Sequence, residues 1–274
     1  VLKKRVLTAA VGLPVLLAAV WWGGGWLAIL VALAAVLGIR ELCRLFPLDS
    51  GPLPVTLLAI WVVALVLGGQ GSGGLCSFLL ISTGILGAGS FLSLLWLVAA
   101  YRGGRPFLTA AFLLGGGVYI GFLLSHGLAL REMSGADNLG RNWLLAALAA
   151  VFATDTGAFL IGRLFGRHQL ASTISPNKTL EGSAGGLVCG VSAVLLLGQL
   201  LELGIPIWQQ ATAAAAASIA AQIGDLLESK LKRISKVKDS GSIIPGHGGI
   251  MDRLDSILIS IPVVYYLVGV VFRP

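Results

Sequence analysis

Hydrophobic residues occur along this chain in long continuous runs rather than at alternating positions. Runs of about 20 apolar residues are long enough for a helix to cross the hydrocarbon core of a bilayer. Because backbone N–H and C=O groups in hydrocarbon need partners within the protein, membrane spans are helices or closed barrels. Barrel strands alternate, so the pattern predicts an all-α polytopic integral membrane protein.

The runs predict nine transmembrane helices. The second and third are short for a bilayer of about 30 Å. We therefore expect one of these two helices to be tilted, partial or re-entrant. The predicted helices are Val6–Trp22, Trp26–Arg40, Leu53–Leu67, Leu75–Ala99, Phe107–Leu128, Asn142–Leu164, Ser183–Leu203, Ile207–Ile234 and Ile250–Phe272. Residues 1–274 are interpreted as a single membrane-embedded domain. Residues 1–140 form its amino-terminal helices, and residues 141–274 carry its polar loops.

Composition agrees with a membrane protein: 57% of residues are hydrophobic, 11% are charged and the mean hydropathy is +0.93. Soluble domains carry roughly 25% charged residues. The first run is interpreted as a retained anchor rather than a cleaved signal. Since the chain starts at Val1, we expect further residues before it in the natural protein.

A net charge of +7 would favour nucleic acid in a soluble protein, but here it reflects basic residues beside membrane spans. With a cytoplasmic amino terminus, sixteen of the nineteen Lys and Arg residues fall on the cytoplasmic side. The exceptions are Arg131, Arg141 and Arg273. The asymmetry predicts this orientation and an odd number of spans. We also expect the cell (inner) membrane as the location and no nucleic-acid partner.

Several small or isolated residues are interpreted as structural. Cys43, Cys76 and Cys189 lie far apart without metal-ligand spacing, and we interpret them as small apolar residues. His126 and His168 are expected at the surface or at an interface. Two patterns of small residues predict close packing of helices. Glycine recurs at four-residue spacing at Gly182, Gly186 and Gly190, and nearly all side chains are small in Ala211–Ala221.

Five acids lie inside or at the ends of the predicted spans: Asp155, Asp225, Glu228, Asp252 and Asp255. A charged side chain in a membrane segment costs about 2.5–3.5 kcal/mol on insertion scales, which marks these residues as functional candidates. Asp225 and Glu228 share one helix face, as do Asp252 and Asp255. A single loop joins the two helices, so their acidic faces are predicted to meet at the cytoplasmic side.

Converging carboxylates without a Cys or His cluster favour a hard, oxygen-seeking cation, most simply Mg²⁺. The alternative is pairing between helices, for example Asp252 with Arg233 or Asp255 with Lys232. The neighbouring glycines, which such pairing leaves unexplained, favour the cation.

The segment "KVKDSGSIIPGHGGIMDRLDS", residues 236–256, gathers two lysines, an arginine, three aspartates, a histidine and four glycines between apolar runs. Glycines allow close approach of a ligand to the backbone, and a helix amino terminus offers unpaired N–H groups to an anion. The segment therefore predicts a polyphosphate site, in which basic residues hold the phosphates and acids hold a metal. The basic residues are Lys230, Lys232, Arg233, Lys236 and Lys238.

These residues resemble the signature of the phosphatidate cytidylyltransferase (CDP-diacylglycerol synthase) family. The match comprises "SKLKR" at 229–233, "KD" at 238–239, "PGHGG" at 245–249 and "DRLD" at 252–255. A second block, "SPNKTLEGSAGG" at 175–186, resembles the family's cytoplasmic loop, and "DTGAFLIGRLFGRH" at 155–168 is similar to the segment before it. Phe159 departs from the tyrosine that relatives often carry.

The resemblance implies transfer of a cytidylyl group from CTP to phosphatidic acid, giving CDP-diacylglycerol and pyrophosphate. It implies a divalent metal held by Asp225, Asp252 and Asp255. The carboxylates themselves favour Mg²⁺ and add Glu228 as a weaker candidate ligand. A second cation such as K⁺ is expected in some members. The resemblance also implies a homodimer that acts on membrane lipid.

On this hypothesis the remaining candidates contact the substrates. Phosphate oxygens would be neutralised by Lys178, Lys232, Arg233, Lys238 and Arg253. His247 either donates a hydrogen bond to a phosphate or braces its loop, and Asp155 orients Lys178 or Arg163 or binds a second cation. The other predicted contacts to nucleotide or lipid head group are Ser175, Asn177, Ser229, Asp239, Gly248 and Gly249.

Two other functions share some of these features. A CTP-dependent kinase acting on a lipid alcohol also needs metal and a phosphate cradle, but it transfers the γ-phosphate. An ion transporter would use buried acids near the membrane midplane as a relay, and only Asp155 is expected that deep.

Overall fold

The computed structural model describes residues 2–46, 53–133, 138–237, 240–241, 243 and 248–272. The described secondary structure is almost entirely helical. Its helices are α1 (Leu2–Trp22), α2 (Gly24–Leu45), α3 (Leu53–Gly69), α4 (Leu75–Ala99), α5 (Pro106–Gly116), α6 (Leu123–Arg131), α7 (Leu139–Phe165), α8 (Leu180–Leu201), α9 (Ile207–Ile234) and α10 (Met251–Tyr266). Two segments of π-helix, Gly117–Phe122 and Leu267–Phe272, join α5 to α6 and extend α10.

Within the described residues, six helices are long and apolar enough to cross a bilayer: Gly24–Leu45, Leu75–Ala99, Pro106–Arg131, Leu139–Phe165, Leu180–Leu201 and Met251–Phe272. The prediction of a helical integral membrane protein is confirmed. The count of nine spans is not confirmed, because Ala10–Trp22 and Leu53–Gly69 are shorter apolar helices and α9 is too polar. Glutamines at 209, 210 and 222 and the charged end of α9 lower its hydropathy.

One departure from a purely helical fold is a hairpin between α7 and α8. Strands β1 (Gln169–Ala171) and β2 (Ser175–Thr179) pair antiparallel, with Gln169 opposite Thr179 and Ala171 opposite Ser175. The all-α prediction missed these strands, because both are short and neither alternates apolar with polar residues.

The chain divides into two compact units. The interpretation of residues 1–274 as a single domain stays a prediction. Unit 1 comprises Val1–Glu132 and Val237–Asp252, and unit 2 comprises Met133–Lys236 and Arg253–Pro274.

Close contacts between aromatic rings and small residues organise the core of unit 1. The Trp61 indole Nε1 donates a hydrogen bond to the Ile85 carbonyl at 2.9 Å. Its ring lies against Gly89 and Gly117, where a Cβ atom would collide with it. Glycine at these two positions therefore lets α4 and the π segment approach α3.

His126 is fully buried in unit 1, with 0% of its surface exposed. Its ring packs edge-on against Phe78 and Phe122, at centroid distances of 4.8 and 4.7 Å. Its Nδ1 donates to the Phe122 carbonyl at 2.8 Å. The prediction of a surface or interface position for His126 is wrong, since two aromatic rings enclose it within unit 1.

In unit 2, the predicted small residues pack α8 against its neighbours. Gly182, Gly186 and Gly190 are all buried in α8. A Cβ atom at Gly186 would lie 2.7 Å from the Thr154 carbonyl oxygen of α7. Thr154 also donates a hydrogen bond to Ser218 of α9 at 2.9 Å, within the alanine-rich segment. The packing prediction for these residues is confirmed.

Replacing Gly186 by Val should lower the free energy of unfolding by about 1–3 kcal/mol, because the added side chain would meet α7. Thermal unfolding of the detergent-solubilised protein measures the change. Gly84→Val on α4 is the control, since a Cβ there has no atom within 4 Å. Equal destabilisation by both substitutions would contradict the packing interpretation.

Candidate active site

The β1–β2 hairpin of unit 2 is anchored by Thr179 and Glu181 at the start of α8. Thr179 Oγ1 accepts a hydrogen bond from the Gly182 N–H at 3.1 Å and so caps the helix. Glu181 accepts from the backbone N–H groups of Arg167 and His168 at 3.0 and 3.2 Å. Its other oxygen lies 2.6 Å from His168 Nδ1. These bonds fix both ends of the hairpin, a role for Glu181 that the sequence did not reveal.

Lys178, near the end of β2, reaches from the hairpin to α9. Its Nζ lies 2.5 Å from Asp225 Oδ2, and both side chains are partly exposed. Ser229 Oγ donates a long hydrogen bond of 3.4 Å to the other Asp225 oxygen. Arg233 Nε donates to the Ile174 carbonyl at 3.3 Å and provides a second link between α9 and the hairpin. Asp225 and Arg233 of α9 therefore contact the hairpin, and Ser229 supports Asp225.

Three carboxylates of unit 2 form what we call the acid cluster: Asp155 of α7, Asp225 of α9 and Asp255 of α10. Asp155 interacts electrostatically with both other members and with the cations Lys178 and Arg253. Asp255 lies close enough to Asp225 for their like charges to repel. The predicted meeting of the acids of the last two helices is thus observed for Asp225 and Asp255.

A glycine explains how α9 and α10 come so close at the acid cluster. A Cβ atom at Gly224, next to Asp225, would collide with the Asp255 carbonyl oxygen. Asp255 Oδ1 also accepts a hydrogen bond from the Ser256 N–H at 2.6 Å. Gly224 was not among the predicted site residues, although the small side chains of α9 already indicated close packing.

Glu228 is fully buried on α9, with 0% of its surface exposed. Its Oε2 lies 3.5 Å from Lys232 Nζ, and its side chain lies beside that of Asp255. Glu228 and Lys232 thus lie together at the edge of the acid cluster.

The acid cluster has the chemistry of a cation site, though not the spacing of a formed metal centre. With Glu228 and Lys232 included, four carboxylates face three cations, Lys178, Lys232 and Arg253, which leaves a formal charge of −1 if all are ionised. Carboxylate oxygens are the ligands that Mg²⁺ prefers. Within the described ranges, however, no three His, Cys, Asp or Glu side chains are arranged to hold a metal ion. In this state the Lys178 ammonium group is the cation on Asp225.

Asp252, the first acid of α10, is held in unit 1 by the segment that precedes the helix. Its Oδ2 accepts hydrogen bonds from the Ser240 N–H, the Ser240 hydroxyl and the Gly249 N–H at 3.2, 2.9 and 2.8 Å. Gly248 has a φ of +83°, and a Cβ there would lie 2.8 Å from the same oxygen. The sequence predicted that a ligand approaches the backbone closely at Gly248 and Gly249. In the described state the Asp252 carboxylate occupies that position.

Glu41 of α2 is the acid that the sequence analysis overlooked. It is fully buried, with 0% of its surface exposed. Its two oxygens accept hydrogen bonds from the Ile250 and Met251 N–H groups, each at 2.9 Å. It lies inside an apolar run, which is the criterion that identified Asp155, but flanking arginines made it resemble the end of a span.

The other predicted contacts are partly described. Ser175 is half-buried and Asn177 is exposed on β2. Predicted site residues that fall outside the described residues are Lys238, Asp239 and His247.

Comparison with known proteins extends over nearly the whole chain. A family model described as the cytidylyltransferase family matches residues 3–271. A phosphatidate cytidylyltransferase of Staphylococcus haemolyticus is 35% identical over 266 residues, which are 97% of this chain and 98% of the relative. Proteins of the same name from Staphylococcus saprophyticus and Staphylococcus aureus are 35% and 34% identical over the same shares. This chain belongs to the cytidylyltransferase family.

Proposed function

We propose that this protein is a phosphatidate cytidylyltransferase, which converts CTP and phosphatidic acid to CDP-diacylglycerol and pyrophosphate. The observation that carries the proposal is the match to relatives of that name over 97% of the chain. The acid cluster could bind a metal ion, and Lys178 and Arg253 beside it could neutralise the phosphates of a nucleoside triphosphate.

In the reaction, a phosphate oxygen of phosphatidic acid attacks the α-phosphorus of CTP in line. A bond forms between that oxygen and the α-phosphorus, and the bond from the α-phosphorus to the β-phosphate oxygen breaks. Pyrophosphate departs with the electron pair. The second pKa of a phosphate monoester is about 6, so the nucleophile is already largely deprotonated at neutral pH and no general base is needed.

The main obstacle is repulsion between two polyanions, so catalysis depends on positioning and on charge neutralisation. Lys178 is well placed for this role, because its partly exposed ammonium group extends from the anchored hairpin. On arrival of CTP it would move from Asp225 to a phosphate oxygen. Arg253 would neutralise a second oxygen, and Asp155 would keep both cations oriented.

The oxygen donors of Asp225 and Asp255 fit Mg²⁺, with Glu228 as a weaker ligand and Asp252, one turn earlier on α10, as a further one. When bound, the metal would supply charge neutralisation and orientation of the CTP phosphates. A monovalent cation such as K⁺ is proposed as a second occupant near Asp155.

The remaining predicted residues keep their proposed roles in substrate binding. Phosphate contacts are proposed for Lys232, Arg233, Lys238 and His247. Contacts to nucleotide or lipid head group are proposed for Ser175, Asn177, Ser229, Asp239, Gly248 and Gly249.

The location proposed for the reaction is the cytoplasmic surface of the cell (inner) membrane, with the amino terminus also cytoplasmic. The distribution of basic residues supports this orientation. There, CTP arrives from water and phosphatidic acid from the bilayer, and cationic residues attract anionic lipid by about 1 kcal/mol each. We propose a homodimer on the basis of the family resemblance.

Isotope transfer tests the function. Purified protein is incubated with phosphatidic acid, Mg²⁺ and CTP labelled at either the α- or the γ-phosphate. The α label should enter a lipid product and the γ label should appear in pyrophosphate. Lipid carrying the γ label would instead indicate a kinase, and the absence of any labelled lipid would refute both activities.

A further inference from the structure

Glu41 and the start of α10 form a connected group within unit 1 that the proposed mechanism does not yet use. Glu41 is a fully buried carboxylate on α2, a mostly apolar helix whose other charged residues are Arg40 and Arg44. Burying a charge is costly unless hydrogen bonds compensate it. Here the compensating donors are the Ile250 and Met251 N–H groups, which lie at the amino terminus of α10 and lack partners inside that helix.

A serine joins Glu41 to the first acid of α10. The Ser240 hydroxyl lies 3.0 Å from Glu41 Oε2 and 2.9 Å from Asp252 Oδ2. A hydroxyl carries one proton and can donate it to only one of these oxygens at a time. The positions of the two carboxylates are therefore linked through Ser240.

Two glycines allow the backbone to pass close to this group. A Cβ atom at Gly249 would collide with both Ser240 Oγ and Glu41 Oε2, and one at Gly241 would collide with Glu41 Oε1. The Gly249 N–H donates to Asp252 at 2.8 Å. In the described residues, Glu41 therefore accepts from the start of α10, and Asp252 lies beside it in contact with Ser240 and Gly249.

We propose that Glu41 is a positioning residue for cytidylyl transfer: it fixes the start of α10 and thereby the orientation of Asp252. This inference rests on the proposed function, in which Asp252 contributes to cation and CTP binding. Glu41 itself contacts backbone and Ser240, and it acts through Asp252.

Glu41→Gln tests the proposal because it keeps the size of the side chain but replaces one acceptor oxygen with a donor NH₂ group. One of the two α10 N–H groups then loses its acceptor, and hydrogen bonds to charged groups are among the stronger ones. Hydrogen exchange at Ile250 and Met251 should rise at least about tenfold. The KM for CTP should rise by a similar factor, with the KM for phosphatidic acid nearly unchanged.

Glu132→Gln is the matched control, since it makes the same change at a half-buried glutamate of unit 1. It should leave exchange and both KM values as in the wild type. Ser240→Ala provides a second test that keeps Glu41. It should raise the KM for CTP while Ile250 and Met251 stay protected, because only the link to Asp252 is lost.

Wild-type exchange at Ile250 and Met251 in Glu41→Gln would overturn the proposal. The proposal would also be overturned if Glu41→Gln only lowered the yield of folded protein and the folded fraction kept the wild-type KM for CTP. The exchange measurement needs no turnover. It therefore tests the hydrogen bonds between Glu41 and the start of α10 even if the wild type forms no liponucleotide. That last result would refute the proposed function instead.

Discussion

Replacing Asp225 by Asn should reduce cytidylyl transfer at least about 100-fold, since loss of even an outer partner of a metal site typically costs 10–100-fold. Asp225 is central to the acid cluster: Lys178 lies 2.5 Å from one of its oxygens, and the like charge of Asp255 lies nearby. Its side chain is partly exposed, so the variant should remain folded. Initial rates of CDP-diacylglycerol formation and thermal unfolding in detergent measure the two effects.

The matched control for Asp225→Asn is Glu202→Gln, which removes the same charge at the carboxyl-terminal end of α8. It should leave the rate within about twofold, as expected for a substitution outside the site. If Asp225→Asn retained more than a tenth of wild-type turnover, the assignment of Asp225 to the metal would be wrong.

Lys178→Met should cost about 100-fold in kcat, comparable to the loss of one preorganised donor to a developing charge. The variant has a second expected signature. Because Lys178 is the cation on Asp225 in the described state, its removal should lower the Mg²⁺ concentration that gives half-maximal activity. Lys178→Arg should recover part of kcat, since it restores the charge with a different geometry.

Arg102→Met controls for loss of a positive charge, because Arg102 lies in the loop between α4 and α5. It should change neither kcat nor the Mg²⁺ dependence. A Lys178→Met variant with an unchanged rate would contradict the phosphate role, and one that needs more Mg²⁺ would contradict the exchange of Lys178 for metal on Asp225.

The sequence was sufficient to predict the helices, because continuous apolar runs have a single solution in hydrocarbon. It also predicted that Asp225 and Asp255 would meet. Their helices follow one another, and each acid lies on a face defined by helical spacing. Both inferences depend only on local periodicity and chain connectivity.

Features that depend on contacts distant in sequence were not predicted. Glu41 and Met251 are 210 residues apart, and no local pattern indicates their hydrogen bond. The hairpin is anchored by Glu181, which in the sequence resembled only an ordinary residue of the first turn of α8. His126 resembled an isolated polar residue, because its contact with Phe78 of another helix was not evident from the sequence.

The most direct test is crystallographic: the protein is crystallised with Mn²⁺ and a CTP analogue that cannot be cleaved, and the anomalous signal locates the metal. We predict a Mn²⁺ peak bound by Asp225 and Asp255, with Lys178 moved from Asp225 to a phosphate oxygen. Nucleotide density at another place, or Lys178 still paired with Asp225 and no metal at the acid cluster, would contradict the central claim.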